Sequence, residues 1–201
     1  DGVVAFTHAF GCSQMGDDLV NTQKILTALV NHPNAGGVLV LSLGCENNNL
    51  SVFKPFLGDV DESRVKFLCV QDVEDELESG TELLHEIYSV IKNDKREDAP
   101  IDKLTVGWKC GGPDAFSGIT ANALCGRVND KLTSLGASTV LTEVPEMFGA
   151  EHLLMARAEN ETVFNKTVSM INGFKDYFSS HNQVCYENPS PGNHAGGITT
   201  L

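Results

Sequence analysis

Five apolar runs punctuate the chain, at residues 2–6 (GVVAF), 37–43 (GVLVLSL), 65–70 (VKFLCV), 104–108 (LTVGW) and 138–141 (STVL). Each is short, nearly continuous and ended by glycine or polar residues, the pattern of a buried parallel strand. Between them apolar positions return at helical spacing: Leu19, Val20, Ile25, Leu26 and Leu29; Leu77, Leu83, Leu84, Ile87, Tyr88 and Ile91; Ile119, Ala123, Leu124 and Leu132. Asp17 and Asp18 favour the positive end of the first helix, and Pro33 stops it. Phe53, Phe56 and Leu57 suggest a short helical piece, and helices are expected at 150–159 and 162–178. Alternating strands and helices predict an α/β fold: one mostly parallel five-stranded sheet flanked by helices, a Rossmann-like three-layer arrangement with right-handed crossovers. A single α/β domain over 1–201 is expected, with a charged linker at 93–102 and a loop-rich C-terminal tail from residue 188, dense in turn formers.

Composition narrows the function classes. The net charge of -13 argues against nucleic acid, whose phosphates require a basic surface. It also gives no long-range attraction for an anion, so any anionic substrate must be caught locally. No apolar run approaches the roughly 20 residues of a membrane helix. The six cysteines are scattered through a chain long enough to build its own core, and nothing at the front reads as a signal peptide. A reducing cytoplasm is therefore expected, with some thiols in the core and some as ligands. Mid-strand Cys69 and mid-helix Cys125 read as core; His32, His85 and His152 read as structural. Both ends look cut from a longer polypeptide.

Chemistry collects where strands end. Three runs lead into Gly/Cys loops: His8 to Cys12 (HAFGC), Gly44-Cys45-Glu46 and Lys109-Cys110-Gly111-Gly112; a fourth leads into Glu143 and Glu146. In an open parallel sheet all strand C-termini share one edge, where ligands bind. The thiols, His8 and the acids are thus expected at one crevice. One imidazole with thiolates and carboxylates suits a borderline divalent ion such as Fe2+, Mn2+ or Zn2+, although no CxxC spacing marks a zinc site. Ser117 is placed to cap the helix after the glycine-rich turn. Free N–H groups there suit a carboxylate. Neither a P-loop nor GxGxxG follows the first strand, which disfavours nucleotide binding.

The segments THAFGC, LSLGCENN, KCGGPDAFSGITAN, TEVPEMFGAEHLL and NPSPGN resemble, in the same order, the altronate/galactarate dehydratase family, and EVPEMFGAEHLL looks more like its altronate branch. The resemblance implies a metal-dependent hydro-lyase of hexuronate breakdown, turning D-altronate into 2-dehydro-3-deoxy-D-gluconate and water with Fe2+ or Mn2+. It also implies that the chain is the central fragment of a longer protein and meets other domains of the same chain. On the matching blocks it marks His8, Gly11, Cys12, Gly44, Cys45, Cys110, Gly111, Gly112, Asp114, Ser117, Asn122, Glu143, Glu146 and Asn193. Chemical inference divides them. His8, or Lys109 if its pKa is depressed, takes the C2 proton; Glu143 or Glu146 protonates the leaving hydroxyl. Gly111, Gly112, Asp114, Ser117, Asn122 and Asn193 hold the substrate; His8, Cys12, Cys45 and Cys110 hold the metal. Pro113 departs from the family's serine and removes a donor. Galactarate as substrate, and a non-catalytic metal- or carboxylate-binding or oligomerisation domain, stay open, as does a homo-oligomer.

Overall fold

The structure, a computed structural model, describes residues 2–199. Asp1, Thr200 and Leu201, which bear on the two ends, lie outside the described residues. The chain forms two compact units, Asp1–Glu97 and Asp98–Leu201. The division falls inside the charged linker.

In the first unit, α1 (Gly16–Val30) precedes β1 (Val38–Ser42), α2 (Leu50–Leu57), β2 (Val65–Cys69) and α3 (Glu76–Ile91). The strands pair in parallel, Val38 opposite Val65 through Ser42 opposite Cys69. Asn49 starts α2 by accepting bonds from the N–H groups of Ser51 and Val52; Asp75 does the same for α3 with Leu77 and Glu78. Both side chains satisfy first-turn donors that the helix leaves unpaired. The core of this unit is Phe53, Leu57, Val65, Leu68 and Ile87. Arg64 grips Asp94 through two guanidinium bonds of 2.7 and 2.8 Å and donates to the Gly36 carbonyl, tying the end of α3 to the entry of β1.

In the second unit, β3 (Thr105–Trp108) leads through a long turn to α4 (Ala121–Ser134), β4 (Ser138–Leu141), α5 (Glu151–Met155), α6 (Glu161–Ser180) and α7 (Pro191–Ala195). β3 and β4 pair in parallel, Thr105 opposite Ser138 through Trp108 opposite Leu141. Ala137, Phe148 and Ile171 are buried.

The five-stranded sheet is therefore corrected to two separate two-stranded parallel sheets among the described residues. The run at 2–6 joins neither: it has no ladder, and Val3, Val4 and Phe6 are 76, 72 and 72% exposed. An apolar run identifies a strand candidate but not its neighbours, because strand partners are set by long-range pairing. Cys125, expected in the core, is exposed on α4. Among the described residues no helix is long and apolar enough to cross a membrane.

The tightest approach in the first unit is at Gly37. A Cβ there would sit 2.9 Å from the Arg64 carbonyl oxygen and still closer to the Ile87 side chain. Gly37→Ala should destabilise the chain by about 1–3 kcal/mol, the cost of overpacking. Denaturant unfolding followed by circular dichroism reads this directly, and an unchanged midpoint would contradict the packing described.

Candidate functional site

The parallel register of β3 and β4 continues past the ladder. Thr142 donates to the Trp108 carbonyl twice, through its N–H at 3.2 Å and its hydroxyl at 2.7 Å. Lys109 and Cys110 therefore leave β3 beside Thr142 and Glu143 leaving β4. The Lys109 ammonium reaches Glu143 Oε1 at 2.9 Å, and the Cys110 N–H donates to Glu143 Oε2 at 3.1 Å. Glu143 has φ 62° and ψ 72°, left-handed backbone that a non-glycine residue adopts only against strain. That conformation turns the chain into Val144–Met147, a 3-10 turn closed by Glu146 N–H on the Glu143 carbonyl at 2.8 Å. Glu146 thereby joins the other two: Cys110 Sγ and one carboxylate oxygen from each of Glu143 and Glu146 lie within 4.8 Å of one another.

The ion pair fixes the charge of its members. The hydrogen bond from Lys109, then that of the Cys110 N–H, holds the Glu143 carboxyl below the ordinary glutamate range. The bond to Glu143 and its negative charge raise Lys109 above the ordinary lysine range. The condition under which Lys109 would act as a base, a depressed pKa, is thus not met.

The turn after Cys110 is held by its own side chains. Asp114 Oδ1 accepts from the N–H groups of Phe116 at 2.9 Å and Ser117 at 3.1 Å, and Ser117 Oγ accepts from the Asp114 N–H at 3.0 Å. Ser117 closes this turn and does not cap the helix; α4 begins at Ala121, after Thr120, which makes no side-chain cap bond. The tail docks on the same turn, with the Ala115 N–H donating to the Gly196 carbonyl at 3.0 Å. Gly197, at φ +97°, lies so near that an added Cβ would meet the Ala115 Cβ at 2.9 Å. Turn, tail and 3-10 turn enclose a cavity of about 420 Å3 lined by Asp114, Ser117, Asn122, Glu146, Phe148 and Asn193 among others. Lys175 backs it, lying 5.0 Å over the Phe148 ring and pairing with Glu151 at 2.9 Å.

Of the predicted residues, Asp114, Ser117, Asn122, Asn193 and Glu146 line this cavity, and Lys109, Cys110 and Glu143 adjoin Glu146. Gly111 and Gly112 form the turn between, Gly112 at φ +79°. His8, Gly11, Cys12, Gly44 and Cys45 belong to the first unit. There His8 Nδ1 accepts from the Phe10 N–H at 3.3 Å, the Gly11 carbonyl accepts from the Asn47 N–H at 3.0 Å, and both thiols are exposed. The two groups of residues follow the strands of two separate sheets, one in each unit. One participant was not singled out by the sequence reading: Phe148 forms a buried wall of the cavity, and its only signal was its place in the TEVPEMFG segment. In the first unit, Glu46 accepts from the Ser42 hydroxyl and the N–H groups of Leu43 and Gly44. Partial burial alone would raise its pKa, but these bonds outweigh that and lower it.

The second unit thus presents an acid–thiol cluster with one ammonium at the mouth of a polar cavity, the outfit of a small-molecule site on a βαβ edge. Residues 101–201 match the model described as D-galactarate/Altronate dehydratase, C-terminal, and residues 1–92 match D-galactarate dehydratase/Altronate hydrolase, second domain. The chain is 61% identical over its whole length to altronate dehydratase of Bacillus subtilis (strain 168), covering 40% of that protein. Against altronate dehydratase of Escherichia coli (strain K12) the identity is 56%, again over the whole chain and 41% of the relative. Galactarate dehydratase (L-threo-forming) of Escherichia coli (strain K12) is 34% identical over 85% of the chain and 34% of its own length. The chain belongs to the altronate/galactarate dehydratase family and stands nearer its altronate branch. It spans about 40% of the length of the altronate dehydratases it matches.

The ion pair makes a pH-dependent prediction. Glu143 has a lowered pKa in the folded chain, so its contribution to stability is present above the unfolded value and lost as pH falls through the folded one. In Lys109→Met, the Glu143 carboxyl should titrate nearer the ordinary glutamate range, with a weaker loss of stability on acidification. Carbon-detected NMR titration of the side-chain carboxyl measures this; an unmoved Glu143 would show that Lys109 does not set its charge.

Proposed function

We propose that the full-length protein dehydrates a sugar acid, D-altronate to 2-dehydro-3-deoxy-D-gluconate plus water, and that the second unit carries the reacting groups. The observation that carries this reading is the convergence of Cys110, Glu143 and Glu146 donor atoms within 4.8 Å. Family membership supplies the reaction class; the cavity supplies a place for a polar substrate.

Removing the proton beside a carboxylate builds negative charge on that carboxylate, and the site has to oppose it. The donor set fits a divalent ion, Fe2+ or Mn2+: a thiolate and a carboxylate suit a borderline metal. Cys110 and Glu143 would hold it, with Glu146 beside them. Bound there, it would supply Lewis acidity toward the substrate carboxylate. Lys109 keeps Glu143 ionised and oriented, so Glu143 is not the proton carrier. Glu146 has no hydrogen-bond partner for its carboxylate among the described residues, and it is the group free to move a proton. It takes the C2 proton as the C2–C3 double bond forms, and returns it to the C3 hydroxyl as the C3–O bond breaks and water leaves. The enol product then tautomerises to the 2-keto acid. His8, Cys12 and Cys45 belong to the first unit.

Glu146→Gln in the full-length enzyme should lower kcat on D-altronate by about 10²–10⁴, the range for loss of a general acid–base group. Circular dichroism checks that the fold is kept. Retention of near-normal kcat would remove Glu146 from the chemistry. Separately, Co2+ added to the metal-free protein should give a thiolate charge-transfer band that Cys110→Ala abolishes and Cys125→Ala keeps. A band insensitive to Cys110 would place the metal elsewhere.

A further inference from the structure

Glu146 sits in the middle of a short turn, so the two ends of that turn decide where its carboxylate lies. The front end is fixed at Glu143, whose carbonyl accepts the Glu146 N–H at 2.8 Å. The back end is closed by the Phe148 N–H on the Pro145 carbonyl at 3.2 Å, and beyond it stands a second ion pair that the dehydration steps do not use. Glu151 opens α5 and accepts the Gly149 N–H on Oε2 at 2.9 Å. Its other oxygen, Oε1, accepts at 2.9 Å from Lys175 on α6, 24 positions further along the chain. The same ammonium lies 5.0 Å from the centre of the Phe148 ring, within cation–π reach. One cation thus holds two consecutive residues, Phe148 by its ring and Gly149 through Glu151. Gly149 stands at φ +89°, backbone that glycine adopts readily. Phe148 is 6% exposed and walls the cavity. The Lys175 and Glu151 side chains are only 39 and 22% exposed, so salt screens this pair less than one on the open surface.

Phe148 and Glu146 belong to one turn and line one cavity, so a shift of the ring would carry the carboxylate with it. A group that moves a proton has to stand within about 0.5 Å of its productive place, and a misplacement of about 1 Å costs up to about 100-fold in rate. We infer that Lys175 and Glu151 are positioning residues: together they hold Phe148 and Gly149, and through them aim Glu146 at the reacting carbon. This rests on the reading that Glu146 carries the proton, and it adds what sets that residue's place. Neither Lys175 nor Glu151 is among the residues lining the cavity, so their loss acts on kcat more than on KM.

The test is steady-state kinetics of the full-length enzyme on D-altronate, with circular dichroism as the check on folding. Lys175→Met removes the cation and keeps most of the bulk; it should lower kcat about 10–100-fold while KM stays within about threefold. Lys175→Arg, which still bonds a carboxylate and covers an aromatic ring, should recover kcat to within about threefold of wild type. Glu151→Gln keeps an acceptor for Gly149 but loses the charge. It should give a smaller loss of kcat in the same direction, and it serves in place of Lys175→Met should that variant fold poorly. The decisive step adds each substitution to Glu146→Gln: with the aimed group gone, neither should lower the residual kcat by more than about twofold. Folded Lys175→Met and Glu151→Gln enzymes with wild-type kcat, or losses that multiply with that of Glu146→Gln, overturn the positioning role while leaving the dehydration reading intact. A Glu146→Gln enzyme with wild-type kcat overturns the proton-carrier reading and this inference with it.

Discussion

The parallel pairing of β3 with β4 is the constraint on which the site depends. Trp108 stands opposite Leu141, so Cys110 and Glu143 leave their strands side by side. The strands are only four residues each, which leaves few ladder bonds to hold the register. Slipping a strand by one residue would turn its side chains to the other face and separate the pair. The bonds that prevent this are those of the site: Thr142 twice on the Trp108 carbonyl, and Glu143 on Lys109 and the Cys110 N–H. Placing Glu143 in left-handed backbone costs on the order of 1–3 kcal/mol. Its two anchored oxygens and the Glu146 N–H on its carbonyl offset that cost. The same contacts thus fix the fold locally and aim the carboxylates.

Around this rigid pair the remaining walls are made of turns. Asp114 and Ser117 close one of them without help from a helix, and the tail is laid against it by one backbone bond and one close approach. Gly197 is required at that approach, since any larger residue would collide with Ala115. Irregular segments set on strand ends are where binding groups are most often found, because a scaffold positions them while their sequence stays free to vary. Phe148 is the exception in this wall: it is buried, and the Lys175–Glu151 pair behind it holds it in place.

How much of this was legible follows from the range of each interaction. The strands at 38–42, 65–69, 105–108 and 138–141 and the principal helices lie close to where apolar periodicity puts them. Periodicity is a local signal, and it carries no information on which strand pairs with which. The run at 2–6 has strand composition but no ladder, and four strands divide into two pairs where one sheet was expected. The Ser117 cap failed for a related reason: Asp114, three residues earlier, competes for the same hydroxyl and makes a turn of it. Within the site, residue types and strand-end positions were legible, whereas the Lys109–Glu143 bond, 34 positions apart in sequence, was not. That bond raises Lys109 above the ordinary lysine range, where a role as base was conditional on a lowered one.

Charge balance ties these features to chemistry. One ammonium, Lys109, stands with three carboxylates, Glu143, Glu146 and Asp114, in a chain whose net charge is already -13. Lys109 is bound to Glu143 and leaves the other two acids uncompensated. A sugar acid would bring a further negative charge into this surrounding, and no long-range field assists its approach. Retention of an anion therefore requires local positive charge beyond what these side chains provide. The proposed divalent ion would supply it: held by Cys110 and Glu143, it would bring two positive charges beside Glu146.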